Sequence, residues 1–364
     1  MACVRKRNQR YVLDFLDQTG ERRRISMPKG ATKAEAKEEL RIYEEQVLKG
    51  MYLPEHKVPT FAQVAKDWIE HKRQSLRENT WEVYEGHVRN HFQEFDSLKI
   101  NIITVAKVEK FINRRQREGM NILTIRKVLV TLGQVFAYAV RHRYIEHNPL
   151  RDAERPRDPG ETRKEIRVLV PEQIQALLES TPSPKYRMLF MLAIMSGARQ
   201  GELLGLKWSD LDLESSQIHI QRTFTKGRFF NTKTRTSTRK VDLGPMVIRE
   251  LRKWKLACPP GEDDLMFPNG EGKPMNYSNM MQRHFIPALA AAGIEQIRFH
   301  DLRHTYASLL IHQKENIKYI QTQLGHSSPM VTLNVYAHLM EPRNQEAACR
   351  LENAIFGTNG WQKR

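Results

Sequence analysis

The stretch Phe299-His-Asp-Leu-Arg-His-Thr-Tyr-Ala-Ser308 decides the assignment of the fold. In a helix, His300 and Arg303 lie one turn apart on the same face. Two cationic or hydrogen-bonding groups directed at one point suit an anion with two oxygens, such as a phosphodiester. An isolated H-x-x-R is more often an arginine paired with a carboxylate beside an ordinary histidine. The assignment of a function therefore depends on the sequence before and after this stretch.

The composition is that of a globular, strongly basic protein. The chain has 364 residues, enough for two or three domains, and 40% of them are hydrophobic. The formal net charge of +17 favours a polyanionic partner, with nucleic acid ahead of an anionic membrane. Cys3, Cys258 and Cys349 lie far apart, which argues against a disulfide framework or a cysteine zinc site. The N-terminus lacks the apolar core of a signal peptide, so we expect a soluble cytoplasmic protein.

Residues 1–56 are predicted to form a small domain of short strands and one helix. Residues 11–27 alternate as two strands around a turn. Thr32 is expected to cap a helix that runs to about Lys49, with Glu35 completing a capping box. Three consecutive arginines are either solvated charge or contacts with DNA, and the charge of the whole chain favours DNA. They are Arg22, Arg23 and Arg24.

Residues 58–150 are predicted to form a helical bundle. Apolar residues recur at helical spacing over 61–69 and again over 122–141. Thr80 is expected to cap the second helix, and Asn148-Pro149 is expected to stop the run. Basic residues on the outer faces suit DNA binding, whereas the aromatic stripes are expected to be core. The basic residues singled out are Arg126 and Lys127.

The remaining chain is predicted to hold a linker and the largest domain. The charged, proline-bearing segment 151–165 has no apolar periodicity, which is typical of a linker. Residues 166–357 are predicted to be mostly helical with one small sheet and a last helix over about 344–356, and 358–364 to be a tail. The predicted class of the whole chain is mainly α with small β-sheets (α+β).

Two further stretches of the largest domain carry candidate chemistry. Arg199 follows a buried apolar helix and a glycine, and Glu202 could orient a neighbouring group or simply pair with this arginine. The segment Thr232–Lys240 joins two predicted strands as a basic hairpin suited to DNA contact. Lys233 on its tip could donate a proton to a leaving oxygen, or belong to a solvated turn. The other candidate DNA contacts of this segment are Arg235 and Arg239.

The last candidate residues are a histidine and a tyrosine. His326 follows a helix that Gly325 is expected to end, and Tyr336 comes ten residues later. A tyrosine hydroxyl has an ordinary pKa near 10 and becomes a competent nucleophile only where cations stabilise its anion and the target phosphate. A core tyrosine hydrogen-bonded at its tip is the commoner case for a lone tyrosine.

Together, the order Arg…Lys…His-x-x-Arg…Leu-Gly-His…Tyr resembles the tyrosine recombinase (phage integrase) family. The resembling segments are 197–202, 232–234, 300–305, 324–327 and 336–338. The three-part layout is similar to that of temperate-phage integrases. It implies an N-terminal arm-site-binding domain, a helical (SAM-like) core-site-binding domain and a catalytic domain.

The resemblance implies a site-specific recombinase that integrates or excises a phage or other mobile element. By position, Tyr336 would attack the scissile phosphate and form an O-(3'-phospho-DNA)-tyrosine intermediate. Arg199 and Arg303 would hold the non-bridging oxygens, because bidentate guanidinium groups suit the charge of a phosphorane-like transition state. His300 and His326 would hydrogen-bond the phosphate and assist proton transfer.

The remaining implied roles concern Lys233, Glu202 and the partners. Lys233 would protonate the 5′-oxygen leaving group, and Glu202 would position the other groups. No cofactor is expected, because the chain has neither a P-loop nor an H-E-x-x-H motif and transesterification needs no ATP. The implied partners are double-stranded DNA with core and arm sites, a homotetramer on that DNA, a DNA-bending accessory protein and an excision factor, in the bacterial cytoplasm or nucleoid. The resemblance implies that the last helix docks on a neighbouring protomer, and docking on its own domain is the alternative.

Three other functions share some of these features. A type IB topoisomerase shares the constellation but relaxes DNA without partner exchange, and the small N-terminal unit with its short helical neighbour argues against it. A DNA-binding protein without catalysis would not require the tyrosine. A Xer-type resolvase of chromosome dimers usually lacks a unit such as residues 1–56.

Overall fold

The computed structural model describes residues 2–157, 166–231, 237–261, 263–336 and 345–356. The chain divides into two compact units, Met1–Arg163 and Lys164–Arg364. Helices predominate in both units, so the predicted class, mainly α with small sheets, is confirmed. More than half of the predicted linker and the whole predicted tail lie outside the described residues.

The first unit begins with an antiparallel sheet and one helix. The elements are β1 (Cys3–Arg7), β2 (Arg10–Leu16), β3 (Arg22–Ser26) and α1 (Lys33–Leu48). The capping box predicted for α1 is present, since Thr32 accepts from the backbone N–H of Glu35 and the Glu35 carboxylate accepts from that of Thr32. Strand β1 lies outside the predicted elements, because its basic sequence lacks apolar alternation. The small core of this part is Leu13, Phe15, Ala36, Leu40 and Tyr52.

Five helices complete the first unit around a second core. They are α2 (Phe61–Ser75), α3 (Glu78–His91), α4 (Val105–Arg117), α5 (Ile122–Arg141) and α6 (Pro149–Asp152). The prediction that Thr80 caps a helix is wrong, because Arg77 takes the N-cap position of α3. Asn148 does not end the run but caps α6 through the backbone N–H of Leu150. Helix α5 is long and apolar enough to cross a membrane, yet it contributes seven buried residues to this core.

Ten helices of the second unit are described. They are α7 (Pro171–Glu179), α8 (Pro184–Ser196), α9 (Gln200–Leu204), α10 (Pro245–Ala257), α11 (Tyr277–Met280), α12 (Ile286–Ala291), α13 (Asp301–His312), α14 (Ile317–Leu324), α15 (Pro329–Tyr336) and α16 (Gln345–Phe356). A π-helical turn, Met281–Phe285, joins α11 to α12 just before Pro287, which has no N–H to donate to the preceding turn. Helix α8 is buried along most of its length and holds the core of this unit.

The described strands of the second unit form two small sheets, whereas one was predicted. They are β4 (Leu211–Asp212), β5 (Gln217–Ile220), β6 (Arg222–Thr225), β7 (Arg228–Asn231) and β8 (Arg239–Asp242). Strand β7 pairs with β6 through a turn at Lys226-Gly227, and β8 pairs with β5. The prediction of a basic hairpin between β7 and β8 is therefore wrong. Residues 232–236 of that segment, with Lys233 and Arg235, lie outside the described residues.

Candidate functional site

The corner between α8 and α9 positions the first arginine. Gly197 ends α8 with φ +58°, and a Cβ atom there would lie 2.4 Å from Cδ1 of Tyr306, so the turn requires glycine. Arg199 follows as the N-cap residue of α9. Its Nη1 donates to Oε1 of Glu202 at 2.8 Å, and its Nη2 lies 3.5 Å from the carbonyl oxygen of Gly325. The guanidinium therefore links α9 to the turn that follows α14.

Glu202 lies between two arginines in the interior. On the side opposite Arg199, Arg239 donates from Nη2 to Oε2 at 2.9 Å and from Nη1 to Oε1 at 3.3 Å. Burial raises the pKa of the Glu202 carboxyl, but the charges of Arg239 and then Arg199 outweigh it and leave the pKa below its usual range. Glu202 is therefore an anion at neutral pH, and it holds both guanidinium groups in place.

The prediction that Arg239 contacts DNA is wrong. Its side chain is buried, and its donors are taken by Glu202, by the Gln323 carbonyl oxygen at 2.6 Å from Nε, and by the Ser237 carbonyl oxygen. A Cβ atom on Gly325 would lie 2.9 Å from Cδ of this arginine, so the turn after α14 closes directly over it. Arg239 therefore forms its hydrogen bonds in the interior although it lies in a basic segment. Its local sequence does not reveal this.

The motif of α13 brings the second predicted arginine to the same place. Arg303 is 3% exposed, and it donates from Nη1 to the carbonyl oxygen of Gly197 and from Nη2 to that of Leu324, both at 2.6 Å. Burial, then Arg199 and Arg239, lower its pKa, but a guanidinium bound to two carbonyl oxygens remains a cation at neutral pH. Arg303 thus ties α13 to the turn before α9 and to the end of α14.

Both predicted histidines are neutral at neutral pH. His300 is the N-cap residue of α13, and its ring meets that of His304 edge-on at 5.0 Å. Desolvation, then His304 and Arg303, lower the pKa of His300 to about 4. His326 shares a hydrogen bond of 2.8 Å between its Nδ1 and Oγ1 of Thr332. Burial and the charge of Arg303 lower the pKa of His326 to about 4.

The tyrosine is buried next to a residue without a predicted role. Tyr336 is the last residue of α15, is 2% exposed, and packs in a cluster with Tyr306, Ile320 and Leu324. Its hydroxyl oxygen lies 2.5 Å from Nδ1 of His304. Burial raises the pKa of Tyr336 to about 12, against the opposing effect of Arg303. His304 directly follows Arg303 in the stretch 299–308. The only feature of the local sequence that could have indicated a role for His304 is that this stretch contains a second histidine.

Five segments that are distant in sequence therefore meet in the second unit. They are 197–202, Arg239, 300–304, 323–326 and 332–336. The remaining predicted DNA contacts lie in the first unit: Arg22, Arg23, Arg24, Arg126 and Lys127. Arg126 and Lys127 are exposed on α5. Within the described part of the chain, no three His, Cys, Asp or Glu side chains are arranged to hold a metal ion.

The arrangement suits transfer of a phosphodiester. Arginines near neutral histidines can share the charge of non-bridging oxygens while the histidines donate or accept protons. The tyrosine supplies a hydroxyl nucleophile close to these cations.

Comparisons with known proteins agree with this chemistry. The model described as "Phage integrase family" matches residues 167–343, and "Phage integrase, N-terminal SAM-like domain" matches residues 60–115. "Tyrosine recombinase XerC-like" of Caldanaerobacter subterraneus subsp. tengcongensis is 29% identical over 90% of this chain and 91% of its own length. The "ICEBs1 integrase" of Bacillus subtilis is 26% identical over 98% of this chain and 100% of its own length.

A solved structure shares the fold. The Tn1549 transposon integrase, in complex with a circular intermediate DNA, superposes with a TM-score of 0.66 at 20% identity. The match covers 81% of this chain and 99% of that one. The similarity thus extends well beyond a single motif or domain.

Proposed function

The chain belongs to the tyrosine recombinase (phage integrase) family, whose members cut and rejoin DNA at specific sites, and we propose which of its residues perform that reaction. Tyr336 attacks the scissile phosphate, forms a 3′-phosphotyrosyl bond and releases a 5′-hydroxyl. Arg199 and Arg303 hold the two non-bridging oxygens. The observation that carries this proposal is the hydrogen-bonded network that joins both arginines to the turn bearing His326, with Tyr336 on the adjoining helix.

The remaining side chains manage protons and position. His300 and His326 are neutral, so each can donate one hydrogen bond to the phosphate without adding a fixed charge. Lys233 protonates the leaving 5′-oxygen. Glu202 acts through Arg199, whose guanidinium it holds at 2.8 Å. No metal or nucleotide takes part, because arginines supply the positive charge and one phosphodiester is exchanged for another.

The buried tyrosine requires a movement before cleavage. A side chain that is 2% exposed cannot place its hydroxyl oxygen in line with a phosphate on a DNA duplex. Tyr336 lies on the short helix α15, so a shift of this one helix can deliver the nucleophile. We expect DNA binding, which brings a phosphate to the arginines, to favour the shifted state.

The partners follow from the reaction. Exchange between two duplexes breaks four strands, and each break consumes one Tyr336, so four copies of the chain act together on double-stranded DNA. The first unit supplies the remaining contacts, with Arg22 and Arg24 on arm sites and Arg126 with Lys127 on core sites. A DNA-bending protein and an excision factor assist by setting the path of the DNA and the direction of exchange. The bacterial cytoplasm or nucleoid provides the substrate.

The test is a covalent protein–DNA adduct. The full chain is incubated in EDTA, without nucleotide, with a plasmid that carries the DNA flanking its own gene, and the reaction is quenched with detergent. We expect an adduct with wild type and none with Tyr336→Phe. Tyr319→Phe is the matched control, because that tyrosine donates to Asp242 and has no proposed role.

Three results contradict the proposal. An adduct that persists in Tyr336→Phe assigns the nucleophile to another residue. An adduct lost in Tyr319→Phe as well points to general damage. An adduct that requires a divalent metal removes the proposed role of the arginines as the sole source of charge.

A further inference from the structure

The contact between His304 and Tyr336 is the shortest polar contact that the described part of the chain gives this tyrosine. Nδ1 of the histidine and Oη of the tyrosine lie 2.5 Å apart, and the ring centroids lie 5.6 Å apart. His304 is on the first turn of α13, one residue after Arg303, so the backbone that places the phosphate-binding arginine also places this imidazole. His304 is held in place, since α13 is buried over most of its length.

The proposed reaction needs an acceptor for the proton of the tyrosine hydroxyl. When the tyrosine oxygen attacks phosphorus, its O–H bond must break, and burial makes the hydroxyl a weaker acid than a free tyrosine. Arginines cannot accept a proton. Nδ1 of His326 is engaged with Thr332, and the ring of His300 meets His304 rather than the tyrosine. Lys233 is assigned to the other end of the reaction, at the leaving oxygen.

We propose that His304 is the general base that takes the proton of Tyr336 during DNA cleavage and returns it during rejoining. The proposal rests on the proposed role of Tyr336 as nucleophile. In cleavage, the Oη–H bond breaks, the proton moves to Nδ1, an oxygen lone pair forms the Oη–P bond, and the P–O5′ bond breaks with its electron pair on the 5′-oxygen. In rejoining, the 5′-hydroxyl gives its proton back to Lys233 and attacks phosphorus, the P–Oη bond breaks with its electron pair on Oη, and the imidazolium protonates the departing tyrosine.

The surroundings of His304 keep it ready to accept. Desolvation lowers its pKa, Arg298 and Arg303 act in the same direction, and Asp301 opposes them. From α15 it faces Tyr336, and from its own helix it faces His300. The imidazole is therefore neutral at pH 7, and the tautomer that carries its proton on Nε2 leaves the Nδ1 lone pair directed at the hydroxyl.

The deciding experiment separates a base from a mere hydrogen-bonding partner. His304→Asn keeps a polar atom near the position of Nδ1 but cannot take a proton, and His304→Gln is the second variant in case the first unfolds. Single-turnover adduct formation is measured on the core site mapped with the plasmid, using the full chain. We expect a loss of about a hundredfold or more, within the range typical of general acid–base catalysis, with DNA binding and thermal unfolding unchanged.

A modified substrate separates the two ends of the reaction. In a duplex whose 5′ bridging oxygen is sulfur, the leaving thiolate needs no protonation because thiols are far stronger acids than alcohols. We expect this substrate to restore cleavage by Lys233→Ala and not by His304→Asn. Restoration of His304→Asn would move this histidine to the leaving-group side and overturn the proposal. So would a rate for folded His304→Asn within about threefold of wild type.

The two proposals fail in different ways. If wild type forms no adduct, or Tyr336→Phe forms one, the assignment of Tyr336 as the nucleophile is wrong. The proposed role of His304 as general base is then wrong as well. If Tyr336→Phe is inactive and folded His304→Asn or His304→Gln cleaves like wild type, only the general base is wrong.

Discussion

Two arginine clusters of this molecule differ in almost every respect except charge. Arg22, Arg23 and Arg24 are adjacent on β3; Arg22 and Arg24 pair with Asp14 of the neighbouring strand β2, and Arg23 pairs with Asp17, which follows that strand. The alternation of the strand leaves Arg22 and Arg24 51% and 58% exposed, while Arg23 is 16% exposed against Asp17. The other cluster joins Arg199, Arg239 and Arg303 of the second unit, which are far apart in sequence; Arg239 and Arg303 are buried, and Arg199 is partly exposed beside Glu202.

The two clusters differ in whether their guanidinium groups can exchange one partner for another. Exposed ion pairs contribute little net stability because solvent screens them, so Arg22 and Arg24 can exchange a carboxylate for a phosphate. Buried guanidinium groups must have their hydrogen bonds satisfied, and Arg239 and Arg303 take carbonyl oxygens and Glu202 as partners. The first cluster is therefore suited to binding, whereas the second forms a fixed frame that suits the proposed catalytic role.

The largest effect should come from Arg239, which is buried against Glu202. Arg239→Met removes one partner of Glu202 and leaves that carboxylate partly unpaired in the interior. We expect the free energy of unfolding of the second unit to fall by about 3–5 kcal/mol, as for other broken buried pairs. Hydrogen exchange of α9 and α14 amides measures the change. Arg22→Met is the control and should leave hydrogen exchange in the second unit unchanged. Equal effects of the two substitutions would contradict the difference between the exposed and the buried cluster.

A conservative change at Arg303 should act on rate. Arg303→Lys keeps the charge but loses the planar group that bridges the carbonyl oxygens of Gly197 and Leu324. We expect single-turnover cleavage to fall by about 10²–10³, as for loss of one transition-state donor. Arg24→Lys should cleave a substrate with core sites alone at the wild-type rate. A near wild-type rate for Arg303→Lys would show that the bridging geometry is dispensable.

Acid should weaken the buried frame through Glu202. Its folded-state pKa lies below the ordinary carboxyl value, so its stabilisation is fully present above that value and is lost as pH falls through the folded pKa. Glu202→Gln lacks this titration. We therefore expect the stability difference between wild type and Glu202→Gln to narrow as pH falls from 7 towards 3, measured by urea unfolding. A difference that widens on acidification would contradict the depressed pKa.

The smallest effect concerns the exposed cluster. Arg22→Ser and Arg24→Ser should each weaken binding to arm-site DNA and reduce the slope of log K against log salt by about 1. Arg23→Ser is the matched control, because its guanidinium is held by Asp17 and should release no counterions. A slope that changes equally for all three would mean that exposure does not decide which arginine meets DNA.

The amino-acid sequence by itself determined the local elements and the order of the motifs. The capping box of Thr32 and Glu35, the helix Ile122–Arg141 and the stop at Gly197 follow from interactions within one or two turns. The resemblance to tyrosine recombinases also needed only residue types in the right order.

The tertiary structure alone decided which basic residues are interior and what the tyrosine meets. Arg239 stands in a basic segment yet is buried against Glu202, 37 residues away in sequence. Strand β7 pairs with β6 instead of β8, and Nδ1 of His304 meets a hydroxyl 32 residues further along the chain. Such contacts depend on which surfaces are buried together, and burial is a property of the packed chain that no local pattern encodes.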